Sequence, residues 1–315
     1  MLSIVIPVYN VEEYISRCLD SIISNEKIKI EIILVDDGSQ DRSTDICLDY
    51  KEKYSFIKYY RKDNGGLSDA RNYGIDKSTG DYILFLDSDD RIKENTLEKI
   101  LVTIDKFNNA DVIVGNACRY ENGVLTKIEN NFQDNQLREG VDYYFESLKS
   151  DNMPIPSWLY ICRRKYLIDN NIYFKKGILH EDEDFTPRLL LEAKNVLPTN
   201  IFFYEYYIRD FSIMTSTDKL EKRFNDLKNT YTRLRILLIG FNNKELLDEF
   251  ENHWVNIFFE YDFLLRINGK ESLVLKKDIK NMKTLRKNKL KKNVYLISPK
   301  VYFKVINFKR KNNKL

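Results

Sequence analysis

Apolar residues in the first hundred positions follow two alternating rhythms. Short β-branched runs at 3–8, 30–35, 56–60 and 82–86 have the length and composition of buried strands. The stretches 12–24, 41–53, 67–77 and 94–107 are amphipathic at helical spacing. Strand and helix alternating four times predict a mostly parallel sheet with helices on both faces. In such sheets ligands bind at the carboxyl ends of the strands, and there the unusual residues of this chain fall.

A further strand is expected at 111–114. From there to about residue 152 the pattern is irregular, with Gly115, Gly123 and Gly140 as breaks, and a second α/β portion runs to about residue 212. From 217 onward the chain reads as helical, most clearly at 219–240 and 244–267. The predicted organisation is an α/β domain over 1–215, divisible near residue 115, and a helical region over 216–315.

Charge changes this picture more than overall composition does. With 43% hydrophobic and 31% charged residues, the 315-residue chain is a folded protein rather than a disordered one. Its net charge of +3 conceals an asymmetry: residues 270–315 carry 16 Lys and Arg against 2 Asp and Glu, a local +14 that leaves −11 for residues 1–269. An acidic body argues against a nucleic-acid enzyme, whose basic patch should surround its cleft. In the tail, basic clusters at 289–292 and 309–311 flank Val294-Tyr295-Leu296-Ile297 and Val301-Tyr302-Phe303, as in a segment lying on an anionic membrane. A solvated basic helix or an oligomer contact is the plain alternative.

Four cysteines, Cys18, Cys47, Cys118 and Cys162, contain no C-x-x-C pair, so neither a zinc ribbon nor a disulfide scaffold is indicated and a reducing cytoplasm fits. The chain opens directly on a strand, with no signal-peptide pattern and no membrane-length apolar run. The expected place is the cytoplasm, at the inner face of the cell membrane.

Candidate chemistry collects at four strand ends and one helix start. Pro7-Val8-Tyr9-Asn10 closes the first strand and Val35-Asp36-Asp37-Gly38-Ser39 the second. Such residues also make ordinary turns and caps, but a carboxylate at a strand end can accept the ring N–H of a uracil base. Asn64-Gly65-Gly66 leads into a helix carrying Arg71, a fixed cation that can point at a diphosphate; without a nucleotide-binding glycine fingerprint, the loop alone is weak. Asp87-Ser88-Asp89-Asp90 ends the fourth strand. Three crowded carboxylates repel unless a cation joins them, although an acidic helix cap has the same composition. With only His180 and His253 in the chain, an oxygen-bound Mn²⁺ or Mg²⁺ at Asp89 is expected rather than zinc. His180-Glu181-Asp182-Glu183-Asp184 holds more acids than a helix start needs, which makes it a source for a general base; Thr186-Pro187 can itself be a cap and first helical proline. Trp158 is a core aromatic or a sugar-stacking ring, and Arg209 can close over a diphosphate.

In this order, Pro7 to Asn10, Val35 to Ser39, Asn64 to Asn72, Asp87 to Asp90, Glu181-Asp182 and Tyr207 to Met214 resemble the inverting family 2 glycosyltransferases, which have the GT-A fold. The resemblance covers about residues 1–215 and implies a donor half near 1–115 and an acceptor half near 116–215. It implies a UDP-sugar donor held by Pro7, Tyr9, Asp37, Asn64, Arg71, Asp87, Ser88 and Arg209, a metal at Asp89, and Asp182 as catalytic base. It also implies single-sugar transfer in bacterial capsular or surface polysaccharide synthesis, to a lipid-linked glycan acceptor, because the Q-x-x-R-W signature of processive synthases is absent. A sugar-nucleotide nucleotidyltransferase is the first rival, but it needs a basic glycine-rich triphosphate loop near the N-terminus. The second is a non-catalytic partner subunit, against which Asp89 and Asp182 count.

Overall fold

The computed structural model describes residues 1–23, 29–208 and 219–312. The chain divides into two compact units, Met1–Ser212 and Ile213–Leu315.

The first unit opens with β1 (Leu2–Val8), α1 (Ile15–Ile23), β2 (Ile30–Asp36), α2 (Ser43–Lys53), β3 (Ile57–Arg61), α3 (Leu67–Lys77) and β4 (Tyr82–Phe85). It continues with β5 (Arg91–Ile92), α4 (Leu97–Lys106), β6 (Val112–Glu121), β7 (Val124–Ile128), α5 (Gly140–Lys149), β8 (Tyr160–Arg163), α6 (Arg164–Asp169), α7 (Asp182–Leu191) and β9 (Val196–Tyr207). One nine-stranded sheet results, in the order β3-β2-β1-β4-β8-β6-β9-β5 with β7 on β6. Every residue of β1, β2 and β4 is buried, as central parallel strands covered on both faces must be. Their register pairs Val8 with Asp36 and Val5 with Phe85, so the three strands end side by side.

The parallel arrangement expected of the first hundred residues stops at β4. From there the sheet is mixed: β8 runs antiparallel to both β4 and β6, while β9 is parallel to β6. Gly115, expected to break the chain, lies inside β6, where a Cβ would come 2.1 Å from the Phe203 ring; the glycine lets β9 pack closely rather than ending a strand. The Asn122-Gly123 turn does end a strand, joining β6 to the antiparallel β7. β6 also crosses the expected division near residue 115. Trp158 is 4% exposed and stacks on Tyr204 at 4.1 Å between centroids, which makes it core and removes it as a sugar platform.

The second unit contains α8 (Leu220–Gly240), α9 (Lys244–Ile267), α10 (Lys276–Lys280), α11 (Arg286–Ile297) and α12 (Pro299–Asn312). Tyr231 of α8 stacks on Phe250 of α9, and Phe259 of α9 meets Tyr295 and Tyr302 of α11 and α12. Among the described residues no helix is long and apolar enough to cross a membrane.

Candidate active site

The ends of β1, β2 and β4 bring the sequence-selected residues to one edge of the sheet. At the end of β1, Pro7 and Val8 remain in the strand while Tyr9 is 48% exposed. Asn10, with φ of 50°, leaves the strand and accepts a hydrogen bond from the Gln40 amide at 2.8 Å. The Asp37 amide in turn donates to the Val8 carbonyl at 2.9 Å, so the two strand ends are laced together.

Asp36 and Asp37 divide the work at the end of β2. Asp36 is fully buried and accepts from Thr44, Tyr59 and the Ser39 amide, so it fixes the turn. Asp37 accepts from the Gly65 and Gly66 amides at 2.9 and 2.7 Å and from Lys62, which also meets Asp69 at 2.6 Å. Asp37 thereby fastens the Asn64-Gly65-Gly66 loop over the strand end, and a base N–H would share its carboxylate with that loop. Gly66 holds φ of 86°, which a side chain resists, and its carbonyl begins α3 by accepting from Asp69 and Ala70. Asn64 is exposed beside it.

Arg71, one turn into α3, is 1% exposed and is the hub of the site. One guanidinium nitrogen reaches Asp87 at 2.7 Å; another reaches Glu181 at 2.9 Å and Asp182 at 3.4 Å. The Phe174 ring covers the group, with its centroid 5.1 Å away. The expectation that Arg71 aims a free cation at a diphosphate therefore needs correction: its charge is committed to three carboxylates from segments far apart in the chain. Burial works against the Arg71 charge, but Asp87, Asp182 and Glu181 outweigh it and raise its pKa.

The 87–90 cluster resolves its crowding without drawing all three acids to one point. Asp87 goes to Arg71. Asp90 turns inward at 1% exposure, accepting from the Tyr204 hydroxyl and the Tyr207 amide, both at 2.8 Å. Burial, then the charges of Asp89 and Asp87, push its pKa well above the carboxylate range. Ser88 is buried, whereas Asp89 is half-buried. The Asp89 carbonyl accepts from Arg17 of α1 at 2.6 Å, and Arg17 also lies over the Tyr207 ring at 4.4 Å. Tyr204 and Arg17, which hold this turn, escaped the sequence reading. A hydroxyl inside an apolar strand was the available sign for Tyr204; an exposed arginine gave none.

α7 begins at Asp182, two residues after His180, a non-glycine residue at φ of 60°. Such a backbone is costly and recurs at functional turns. Thr186 is not a cap, because its hydroxyl donates to the Ile155 carbonyl, and Pro187 lies inside the helix. Asp184 is buried in an ion pair with Arg188 at 2.8 Å. Burial first, and then the Asp182 charge, push Glu181 up to about 7 and Glu183 to about 7. Asp182 is likewise raised by burial, with Arg71 opposing. Arg209 lies outside the described residues, as does most of the Tyr207 to Met214 motif.

Comparison with known proteins agrees with this geometry. The model of "Glycosyl transferase family 2" matches residues 3–169, over half the chain. The uncharacterized glycosyltransferase YibD of Escherichia coli is 31% identical over 228 residues, covering 71% of this chain and 65% of YibD. The minor teichoic acid biosynthesis protein GgaB of Bacillus subtilis is 30% identical over 285 residues, 87% of this chain but 29% of GgaB. This chain thus spans less than two thirds of either relative. The structure of S. aureus TarS 1–349 in complex with UDP-GlcNAc shares the fold, with a TM-score of 0.65 at 22% identity over 88% of this chain and 84% of that one. A GT-A sheet, matched by the family model over residues 3–169, identifies the chain as a member of glycosyl transferase family 2.

Proposed function

We propose that this glycosyltransferase moves one sugar from a UDP-sugar to an acceptor hydroxyl with inversion, in the synthesis of a bacterial cell-surface polysaccharide. The observation that carries the reading is the Arg71 hub, which gathers Asp87 from the donor edge and Asp182 from α7 around one guanidinium. In this mechanism the acceptor oxygen attacks the anomeric carbon and its proton passes to an Asp182 carboxylate oxygen. The bond from that carbon to the diphosphate oxygen breaks and its electron pair leaves with UDP. Burial raises the proton affinity of Asp182, Arg71 opposes that rise and orients the carboxylate, and a base that must take a proton gains from both.

We infer that an oxygen-binding cation would sit at the donor edge. Among the described residues no three His, Cys, Asp or Glu side chains are grouped to hold a metal, so Mn²⁺ or Mg²⁺ would draw on Asp89 together with the diphosphate oxygens, as such ions commonly do. When bound, the ion supplies neutralising charge for the departing diphosphate. Tyr9, Asp37 and Asn64 would face the nucleoside, and Arg209 the diphosphate. The acceptor is a lipid-linked glycan at the cytoplasmic face of the membrane, a reading supported by the basic tail. A UDP-sugar panel assayed for acceptor-dependent, divalent-cation-dependent UDP release tests the proposal, with the anomeric configuration of the product read by NMR. Pyrophosphate formation from sugar 1-phosphate and a nucleoside triphosphate, without UDP release, overturns it in favour of a nucleotidyltransferase.

A further inference from the structure

Two consecutive helices of the second unit each have a seated face and an apolar stripe that is exposed among the described residues. On the seated face of α11, Asn288 bonds to Asn252, Lys291 to Asn256, and the buried Tyr295 donates to the Val274 carbonyl. On α12, Tyr302 is buried against Phe259 and Phe303 meets Phe263. The opposite residues are large, apolar and in water. Leu290 is 71% and Ile297 81% exposed on α11; Val301 is 52%, Val305 45% and Phe308 67% exposed on α12. Their spacings of seven on α11, and of four then three on α12, put each set on one side of its helix. Exposed Lys289, Lys300 and Lys304 border the stripes.

We propose that these stripes are the docking surface for an anionic lipid bilayer, with α11 and α12 lying in the interface, apolar side down. This rests on the reading that the acceptor is membrane-borne. Apolar stripes bordered by lysines are the composition of helices that rest in a headgroup layer. Charge selects the occupant: residues 270–315 carry 16 basic and 2 acidic residues, so a second copy would bring two cationic surfaces together, whereas anionic headgroups complement them. A polyanion lacking hydrocarbon would satisfy the lysines and leave the stripes in water.

The test compares the full chain with a Val305→Asp/Phe308→Asp variant, whose new carboxylates occupy exposed positions. Binding is measured by cosedimentation with phosphatidylglycerol–phosphatidylcholine vesicles and with pure phosphatidylcholine vesicles. The wild type should bind the anionic vesicles, lose that binding in high salt, and bind the neutral ones weakly; the variant should lose about tenfold or more of its partitioning. UDP-sugar hydrolysis in the absence of vesicles should be equal in the two proteins, which separates a failure of docking from a failure of the enzymatic reading. Equal vesicle binding by the variant, or equal binding to neutral and anionic vesicles, overturns the proposal. So does a wild-type dimer in sedimentation velocity that the variant abolishes.

Discussion

Arg71→Met removes the one cation shared by Asp87, Glu181 and Asp182 while keeping a side chain of comparable reach. Deleting one partner of a buried ion pair costs about 3–5 kcal/mol, because the remaining charge is left uncompensated. The Asp87 and Asp182 side chains are 26% and 21% exposed, so water screens part of the loss and about 3 kcal/mol is expected. For a unit of 212 residues that corresponds to a fall in thermal midpoint of about 6–12 °C. The loss should depend on pH in a set direction. Glu181 is raised from 4.5 to about 7, so the stability it contributes as a neutral acid is complete below about 4.5 and is lost as pH rises through 7. Without Arg71 its pKa rises further, so the gap between wild type and variant should be wider at pH 8 than at pH 5. Thermal unfolding at both pH values measures this, and Arg71→Lys, with its charge but not its fork, should fall between the two. A loss under about 1 kcal/mol, or one independent of pH, refutes the hub.

Two further outcomes follow from other carboxylates. Asp89→Ala should abolish Mn²⁺-dependent UDP binding in calorimetry; unaltered affinity would remove Asp89 from the metal site. Glu31 in β2 accepts from Ser3, Lys58, Thr79 and the Gly80 amide; burial raises its pKa, but these partners outweigh it and hold it at about 2 against 4.5. A lowered pKa contributes stability above about 4.5 that is lost as pH falls towards 2, worth about 3 kcal/mol at neutral pH. Glu31→Gln should be destabilised by that order at pH 7 and approach wild type in urea midpoint at pH 3, and a gap that stays constant would contradict the linkage.

The parts of the fold that were legible are those where local pattern and tertiary role coincide. β1, β2 and β4 are buried on both faces and therefore read as continuous apolar runs, and α3 has the predicted bounds Leu67–Lys77. The start of β6 was expected at 111–114, but its continuation was hidden because Gly115 is kept small by Phe203, a contact 88 positions away in the chain, and β7 because it is exposed at four of its five positions, with no apolar alternation to detect. The site divides in the same way. Strand-end carboxylates can be found by spacing alone, so Asp37, Asp87 and Asp89 were visible. What each contacts is not local: Arg71 meets Glu181 and Asp182 across 110 and 111 positions, and Asp90 meets Tyr204 across 114. An arginine that reads as a ligand for a diphosphate is consequently found inside a carboxylate cage, and Asp90, one of three acids crowded at a strand end, is found bonded to a tyrosine.

In the proposed transfer Asp182 takes the acceptor proton. Asp182→Asn keeps the size and part of the hydrogen bonding but removes the proton affinity, so single-turnover transfer to a competent acceptor should fall about 100-fold or more while UDP and Mn²⁺ affinity stay near wild type. Glu183→Gln, measured alongside, should cost much less. Near-normal transfer by Asp182→Asn contradicts the account, and loss of transfer in Glu183→Gln at the same time would move the base to that neighbour.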